Sequence, residues 1–443
     1  MWLLQVFSSI INDFLKKTDE ISEKVVYNEY YSLLIISGVY PILKNNFTIF
    51  LYCLQLIYYY GILLSHIYFF FVTALYNFDD FVLMLNSLNF AIIIIFFVMF
   101  KIIIFTSRTD FRNIHRMIGI GVYIYENEEF ENDEIKEIKR KNLNFKKLLK
   151  TCLPIANLMC GFSVVIIGPY VDKFFGYAET RIYSDSGVNF LLPIPIMYPF
   201  EAHEGANFIF AFFLQISLAF IVLIILLSSS SIYITVCMNI IMQLDLLKYS
   251  IKNIEIRSKK MYEKLYFEKK NKNLGISQLY EDKDFMKCME SCLLQNIKHH
   301  QNIHRMHKHL LNMMKYILVI TVGSGVAMVA VSGFLALSLA DRPGGLLGLF
   351  IMCGAQISNI LSVCYLGELV SDMNNQLNFE LYSVNWYCYT KKIHQYLNII
   401  QIYTTKDMAV TGPFSLIANM ETFGKMMNSA YSYMSLLFAW NSS

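Results

Sequence analysis

Charge is scarce in this chain. Only 16% of its 443 residues are Asp, Glu, Lys or Arg, while 56% are apolar, a balance that excludes an ordinary soluble protein of two or three domains. Proline is scarce as well, with 8 in the whole chain, and three of these fall within seven residues. No Gly-rich phosphate-binding loop is present and no nucleophile has a supporting base nearby, which argues against an enzyme and calls for no cofactor. The net charge of +3 is uninformative as a total, because in a membrane chain the placement of Lys and Arg is what matters. Nothing in the chain calls for a nucleic-acid partner. Nine cysteines make an odd set. Cys53, Cys152, Cys160, Cys237, Cys353 and Cys364 lie in or beside apolar runs; Cys288, Cys292 and Cys388 lie in segments assigned below to the cytoplasm. No structural disulfide is therefore expected. The first segment lacks a basic stretch ahead of its apolar residues and a small-x-small cleavage site, so no signal peptide is read and the mature chain is expected to start at Met1.

Long apolar runs are what the chain does have. They cover residues 47–76, 81–105, 149–170, 206–238, 316–340 and 346–366, with a weaker seventh at 415–440. A bilayer core of roughly 30 Å needs about 20 apolar residues per helix, so each run suffices for one crossing. The seventh carries Glu421 and Lys425 one turn apart, then Asn419, Asn428, Ser429, Ser432 and Ser435. Unpaired polar groups are costly in hydrocarbon, so this helix is expected to face protein or water.

Orientation follows from the loops. Between the second and third runs lie Arg108, Arg112, Arg116, Lys136, Lys139, Arg140, Lys141, Lys146 and Lys147, and residues 248–315 between the fourth and fifth are richer still. Residues 77–80 hold only Asp79 and Asp80 as charges, and Arg342 is the sole basic residue between the fifth and sixth runs. The positive-inside rule places the basic loops in the cytoplasm. The expected fold is thus an all-α membrane protein of seven transmembrane helices with a cytoplasmic N-terminus and an extracellular C-terminus, opposite to the G-protein-coupled receptors. A secondary transporter is disfavoured because no internal repeat is visible and the fourth to sixth spans carry no ionisable residue.

The spacing divides the chain into a cytoplasmic segment (1–46), six spans with their loops (47–366), cytoplasmic anchor helices (367–414) and a last span with a short external tail (415–443). Helical apolar spacing at Met286, Met289, Leu293, Leu294 and Ile297 predicts a cytoplasmic helix leading into the fifth span. The charged stretch 259–284 is expected to be disordered. His299, His300, His304, His307 and His309 cluster on that helix, but Lys298, Arg305 and Lys308 beside them repel a cation, so no metal is expected; headgroups or a partner's cytoplasmic helix suit the basic face. Residues 192–200, LLPIPIMYPF with Leu191, form a stiff extended segment because three prolines fix φ and remove donors. Either a rigid surface loop or a lid over the bundle fits it.

That loop resembles the external-loop signature of the insect odorant receptors. The C-terminal region is similar to the same family at Cys364-Tyr365-Leu366-Gly367-Glu368-Leu369, at Leu381-Tyr382-Ser383 with Trp386-Tyr387, and at Phe423 followed by Ser429-Ala430-Tyr431-Ser432-Tyr433-Met434-Ser435-Leu436-Leu437. The chain departs at Asn385, where many relatives carry an acidic or other polar residue. The form of the last motif favours the odorant branch over gustatory relatives and a tuning subunit over the co-receptor. What the resemblance implies is a ligand-gated, non-selective cation channel in the plasma membrane of olfactory sensory neuron dendrites, with four subunits, the co-receptor among them, around a pore lined by the last helix. It implies a hydrophobic gate at Leu436, with Tyr433 one turn below and Leu437 adjacent, open to dewetting control. It implies an odorant pocket in the outer half of the bundle. There the spans offer Met84, Asn86, Phe90, Phe162, Val165, Phe208, Phe212, Gln215 and Phe350, with Tyr198 from the lid segment and Asn86 and Gln215 as hydrogen-bonding groups. An uncharged pocket implies a neutral volatile ligand.

Overall fold

The computed structural model describes residues 19–41, 43–125, 132–176, 188–189, 192–202, 205–266, 279–338 and 343–441. Two short helices, α1 (Glu20–Tyr30) and α2 (Leu33–Ile36), precede α3 (Asn46–Tyr76) and α4 (Phe81–Thr106). Side chains set where these begin: Asn45 and Thr48 form a reciprocal capping box, and Asp80 accepts the Leu83 N–H at 3.0 Å. Next come α5 (Arg108–Ile120) and α6 (Asp133–Phe162), capped by Asn132. A π-helical turn, Ser163–Ile167, joins α6 to α7 (Gly168–Phe174). The remaining elements are α8 (Gly205–Lys252), α9 (Ile254–Leu265), α10 (Lys283–Ser338), α11 (Pro343–Ser383), α12 (Lys391–Thr404) and α13 (Met420–Asn441).

Six of these segments, α3, α4, the α6–α7 unit, α8, α10 and α11, are long and apolar enough to cross a membrane. The seventh crossing is α13, whose 22 residues reach about 33 Å at 1.5 Å per residue. Several helices outrun their apolar runs. α10 has 56 residues, about 84 Å, so more than half projects into the cytoplasm. α11 passes unbroken through residue 366, where the sequence pattern put the start of the anchor. The two ends of 259–284, a stretch expected to be disordered, are helical: α9 extends to Leu265 and α10 starts at Lys283, and residues 267–278 lie outside those described. Tyr262 in that stretch is buried, as are Ile254 before it and Phe285 after it, which gives the two helices an apolar face to pack.

α10 forms the centre of the bundle, packing against α4, α5, α8, α9, α11, α12 and α13. Small residues permit the closest crossings. At the outer end a Cβ on Gly344 would meet the Gly168 carbonyl oxygen and lie 2.8 Å from the Asp172 carboxylate, which accepts the Gly344 N–H at 2.8 Å. On the cytoplasmic side Lys146 and Lys150 reach Glu29 at 2.7 and 3.1 Å, tying α1 to α6.

Three of the five clustered histidines turn into the protein. His299, His300 and His307 are buried, while Lys298, Arg305 and Lys308 occupy the exposed face. His299 donates from Nε2 to Gln243 (2.9 Å) and accepts at Nδ1 from the Tyr125 hydroxyl (2.8 Å), which fixes a neutral tautomer. His115 is held in the same way, donating to the Phe111 carbonyl and accepting from Tyr30 at 2.8 Å. Burial pushes His299 and His300 down to about 3, and His115 and His307 to about 4.

Candidate functional site

The outer end of the bundle is closed by residues 192–202. Leu192, Ile194, Ile196 and Tyr198 are buried in strict alternation with Pro193, Pro195, Met197 and Pro199, the two-residue period of an extended chain. Of the two readings of this segment, the lid is the one the burial pattern matches. Gln215 on α8 clasps it: the Ile194 N–H donates to Oε1 at 3.0 Å and Nε2–H donates to the Ile194 carbonyl at 2.8 Å. The Met197 N–H donates to Thr73 on α3 at 2.8 Å, and Tyr198 packs edge-on against Phe69 and His66.

The residues assigned to a ligand pocket lie in different settings. Met84, Asn86 and Phe90 are partly buried on α4, with Phe90 stacked on Phe70 of α3 at 5.7 Å. Phe208 and Phe212 stack on one another along α8 at 6.4 Å. Val165 sits in the π-helical turn. Phe162, Phe212 and Phe350 present much of their surface outward, and the Gln215 amide is already engaged by the lid. A cavity of about 80 Å3 lies deeper, between α4, α8, α10 and α11, lined among others by Phe96, Phe100, Tyr233, Ser324, Met328 and Asn359. Phe96 is about 22 Å along α4 from Phe81, so this space is in the inner half of the bilayer.

Two buried polar groups on α4 carried no sequence signal beyond their presence in an apolar run. Asn89, one turn from Asn86, is fully buried and both amide atoms lack hydrogen-bond partners. Lys101 is buried with its ammonium 4.9 and 5.2 Å from the Tyr59 and Tyr60 ring centres, and cation–π attraction partly offsets its desolvation.

α13 packs on α10 and α11 through Phe423, Met426, Met427, Ala430 and Met434, against Val329, Ala330, Ile360 and Cys364. Its other side is exposed and carries Lys425, Asn428, Ser429, Ser432 and Ser435 together with Tyr433 and Leu436; Leu437 turns toward the packed side. Glu421 and Lys425 pair at 2.6 Å on the exposed side. The turn into α13 explains the motif at 364–369. A Cβ on Gly367 would meet the Ala418 carbonyl and lie 2.8 Å from the Ala418 Cβ, so only glycine lets the 410–418 hairpin seat on α11. Glu368 accepts the Met420 N–H at 2.6 Å and caps α13. In the cytoplasm, Asn385, Tyr280 and Tyr389 all donate to the same Glu255 oxygen at 3.0, 2.7 and 3.0 Å. The contact at Asn385 is therefore made, from an amide.

A lidded helical bundle with basic loops inside and a half-polar last helix on its flank defines a multi-pass membrane protein of inverted seven-helix topology, not the G-protein-coupled fold. A family model described as 7tm Odorant receptor matches residues 80–431, and the chain belongs to that family. Odorant receptor 94a of Drosophila melanogaster is 27% identical over 99 residues, 22% of this chain and 26% of that protein, so the match spans about a quarter of the relative's length. The solved structure of the insect olfactory receptor OR5 from Machilis hrabei in complex with eugenol shares the fold, with a TM-score of 0.70 at 11% identity over 94% of this chain and 97% of that one. Another structure of the same receptor gives 0.67 at 12% identity, covering 91% and 95%.

Proposed function

We propose that this chain is an odorant-tuned subunit of a ligand-gated, non-selective cation channel, assembled with a co-receptor as a heterotetramer in the plasma membrane of olfactory neuron dendrites. The observation that carries the reading is the two-sided character of α13. A membrane helix whose free face bears four small polar side chains and an ion pair needs water or protein beside it, and a pore shared between subunits supplies water. Leu436 on that face acts as the hydrophobic constriction, with Tyr433 a turn below, closing the path to cations by dewetting. Exposed aromatics at the cytoplasmic end, Phe379, Tyr382 and Tyr387, supply apolar surface for neighbouring subunits. The ligand is a small neutral volatile, taken up under the lid among Met84, Asn86, Phe90, Val165, Tyr198 and Phe208; a neighbour of the same fold that holds eugenol supports that class. Currents from cells expressing the chain with a co-receptor test the reading. Leu436→Ala should raise resting conductance and leave the ranking of odorants intact. A change in ranking with resting conductance unaltered refutes the gate.

A further inference from the structure

We propose that Asn89 is the polar anchor of the ligand site and that it selects neutral molecules bearing a carbonyl, ether or hydroxyl oxygen over hydrocarbons of the same shape. The inference rests on the odorant-receptor reading above. Asn89 lies on α4 about 12 Å from the outer end of the helix, is 0% exposed, and has a hydrogen-bond partner at neither Nδ2 nor Oδ1. Among the described residues it is the one buried amide of which this is true. Asn157 and Asn359 bond one another at 2.8 Å, Asn239 donates to the Thr235 carbonyl, Asn142 to Asp245, and Gln215 to the lid. A buried amide left unsatisfied is destabilising, and a leucine would serve packing better in a run that reads Phe81-Val82-Leu83-Met84-Leu85. A fold keeps such a group where something other than folding needs it.

Its direction is set by helical spacing. Asn89, Ile93, Phe96 and Phe100 are separated by four, three and four residues and so share one face of α4. Phe96 and Phe100 line the deeper cavity between α4, α8, α10 and α11, so that face looks into the bundle, and Asn89 sits on it about 10 Å nearer the lid than Phe96. An amide there offers two donor hydrogens and an acceptor oxygen. A ketone, ester or ether oxygen accepts from Nδ2, and a hydroxyl additionally donates to Oδ1. A hydrocarbon satisfies neither, and a site that hydrogen-bonds its ligand rejects the analogue lacking the oxygen far more strongly than a greasy pocket rejects a missing methylene.

The test compares the full chain with Asn89→Leu, Asn89→Ser and, as a control in a satisfied amide away from the cavity, Asn142→Leu, each co-expressed with a co-receptor. A panel of six- to ten-carbon ketones, esters and alcohols is applied beside the matching alkanes and alkenes, and thermal midpoints of the purified chains are read without ligand. Asn89→Leu should leave the ligand-free midpoint equal or higher, unlike Asn142→Leu, and should reduce the preference for oxygenated over hydrocarbon members at least tenfold, with Asn89→Ser between. Preference unchanged within twofold, or a midpoint lowered as in Asn142→Leu, overturns the anchor. A wild-type chain that no panel member activates or stabilises overturns the odorant reading itself.

Discussion

Acidifying the cytoplasmic end of the protein from pH 7.5 to 5.5 is expected to weaken it by about 5 kcal/mol, through His115 of α5 and three histidines of α10. Burial holds His299 and His300 at about 3 and His115 and His307 at about 4, against 6.5 for an unperturbed side chain. Above 6.5 neither the folded nor the unfolded chain binds these protons and the folded state is at full strength. As pH falls through 6.5, the unfolded chain takes up protons that the folded chain refuses, and stability is lost progressively until the folded values are reached. At pH 5.5 an ordinary imidazole is mostly protonated, so each buried one costs about 1.4 kcal/mol relative to pH 7.5. Neighbouring charge sharpens the contrast: Arg257 opposes protonation of His299, whereas Asp407 favours it at His307. Thermal unfolding of the purified protein at the two pH values measures the loss, and His300→Leu should remove about a quarter of it. A midpoint that is flat or rises at pH 5.5, or a decline unaffected by His300→Leu, refutes the reasoning.

Two other perturbations follow from the geometry. Gln215→Leu strips both hydrogen bonds from Ile194 and leaves buried backbone groups unpaired, a local loss of roughly 1–3 kcal/mol; hydrogen exchange at the Ile194 and Met197 amides should accelerate, and no acceleration would show that the clasp does not hold the lid. Gly367→Ala pushes a methyl against the Ala418 carbonyl and should lower the thermal midpoint by the equivalent of about 1–3 kcal/mol, whereas Gly424→Ala, which meets nothing within 4 Å, should not lower it.

Much of the fold was legible because the bilayer imposes few choices. Runs of apolar residues marked six crossings, basic loops set their orientation, and the polar character of residues 419–435 singled out the last helix. Periodicity also found the cytoplasmic helix ahead of the fifth crossing, at 286–297; what it did not supply was how far α6 reaches, because the charged stretch 133–148 keeps an apolar stripe that packs on neighbours rather than on lipid. Partnering was equally hidden. Gln215 and Asn86 were the polar groups that composition offered for a ligand, yet Gln215 is engaged by a backbone 21 residues earlier, and the unsatisfied amide is Asn89, one turn away on the same helix. In the histidine cluster, local charges were visible but not that they occupy the opposite face.

The long helices also relate the two ends of the proposed site. α11 meets α7 at Gly344 at its outer end, meets α10 and α13 where a Cβ on Gly325 would lie 2.8 Å from Ile360 and 3.5 Å from Met426, and receives the 410–418 hairpin at Gly367. At Gly344 and Gly367 the glycine lets backbone meet backbone, whereas at Gly325 it admits the Ile360 and Met426 side chains, so each contact is close-packed and leaves little slack. α13 packs on α10, where Phe334 meets Phe438, and on α11 through the Glu368 cap and the Ile360–Cys364 contact with Met426 and Ala430. Movement of α11 against α7 at the outer end must therefore be taken up either by bending of this 41-residue helix or at its contact with α13, which α10 also holds.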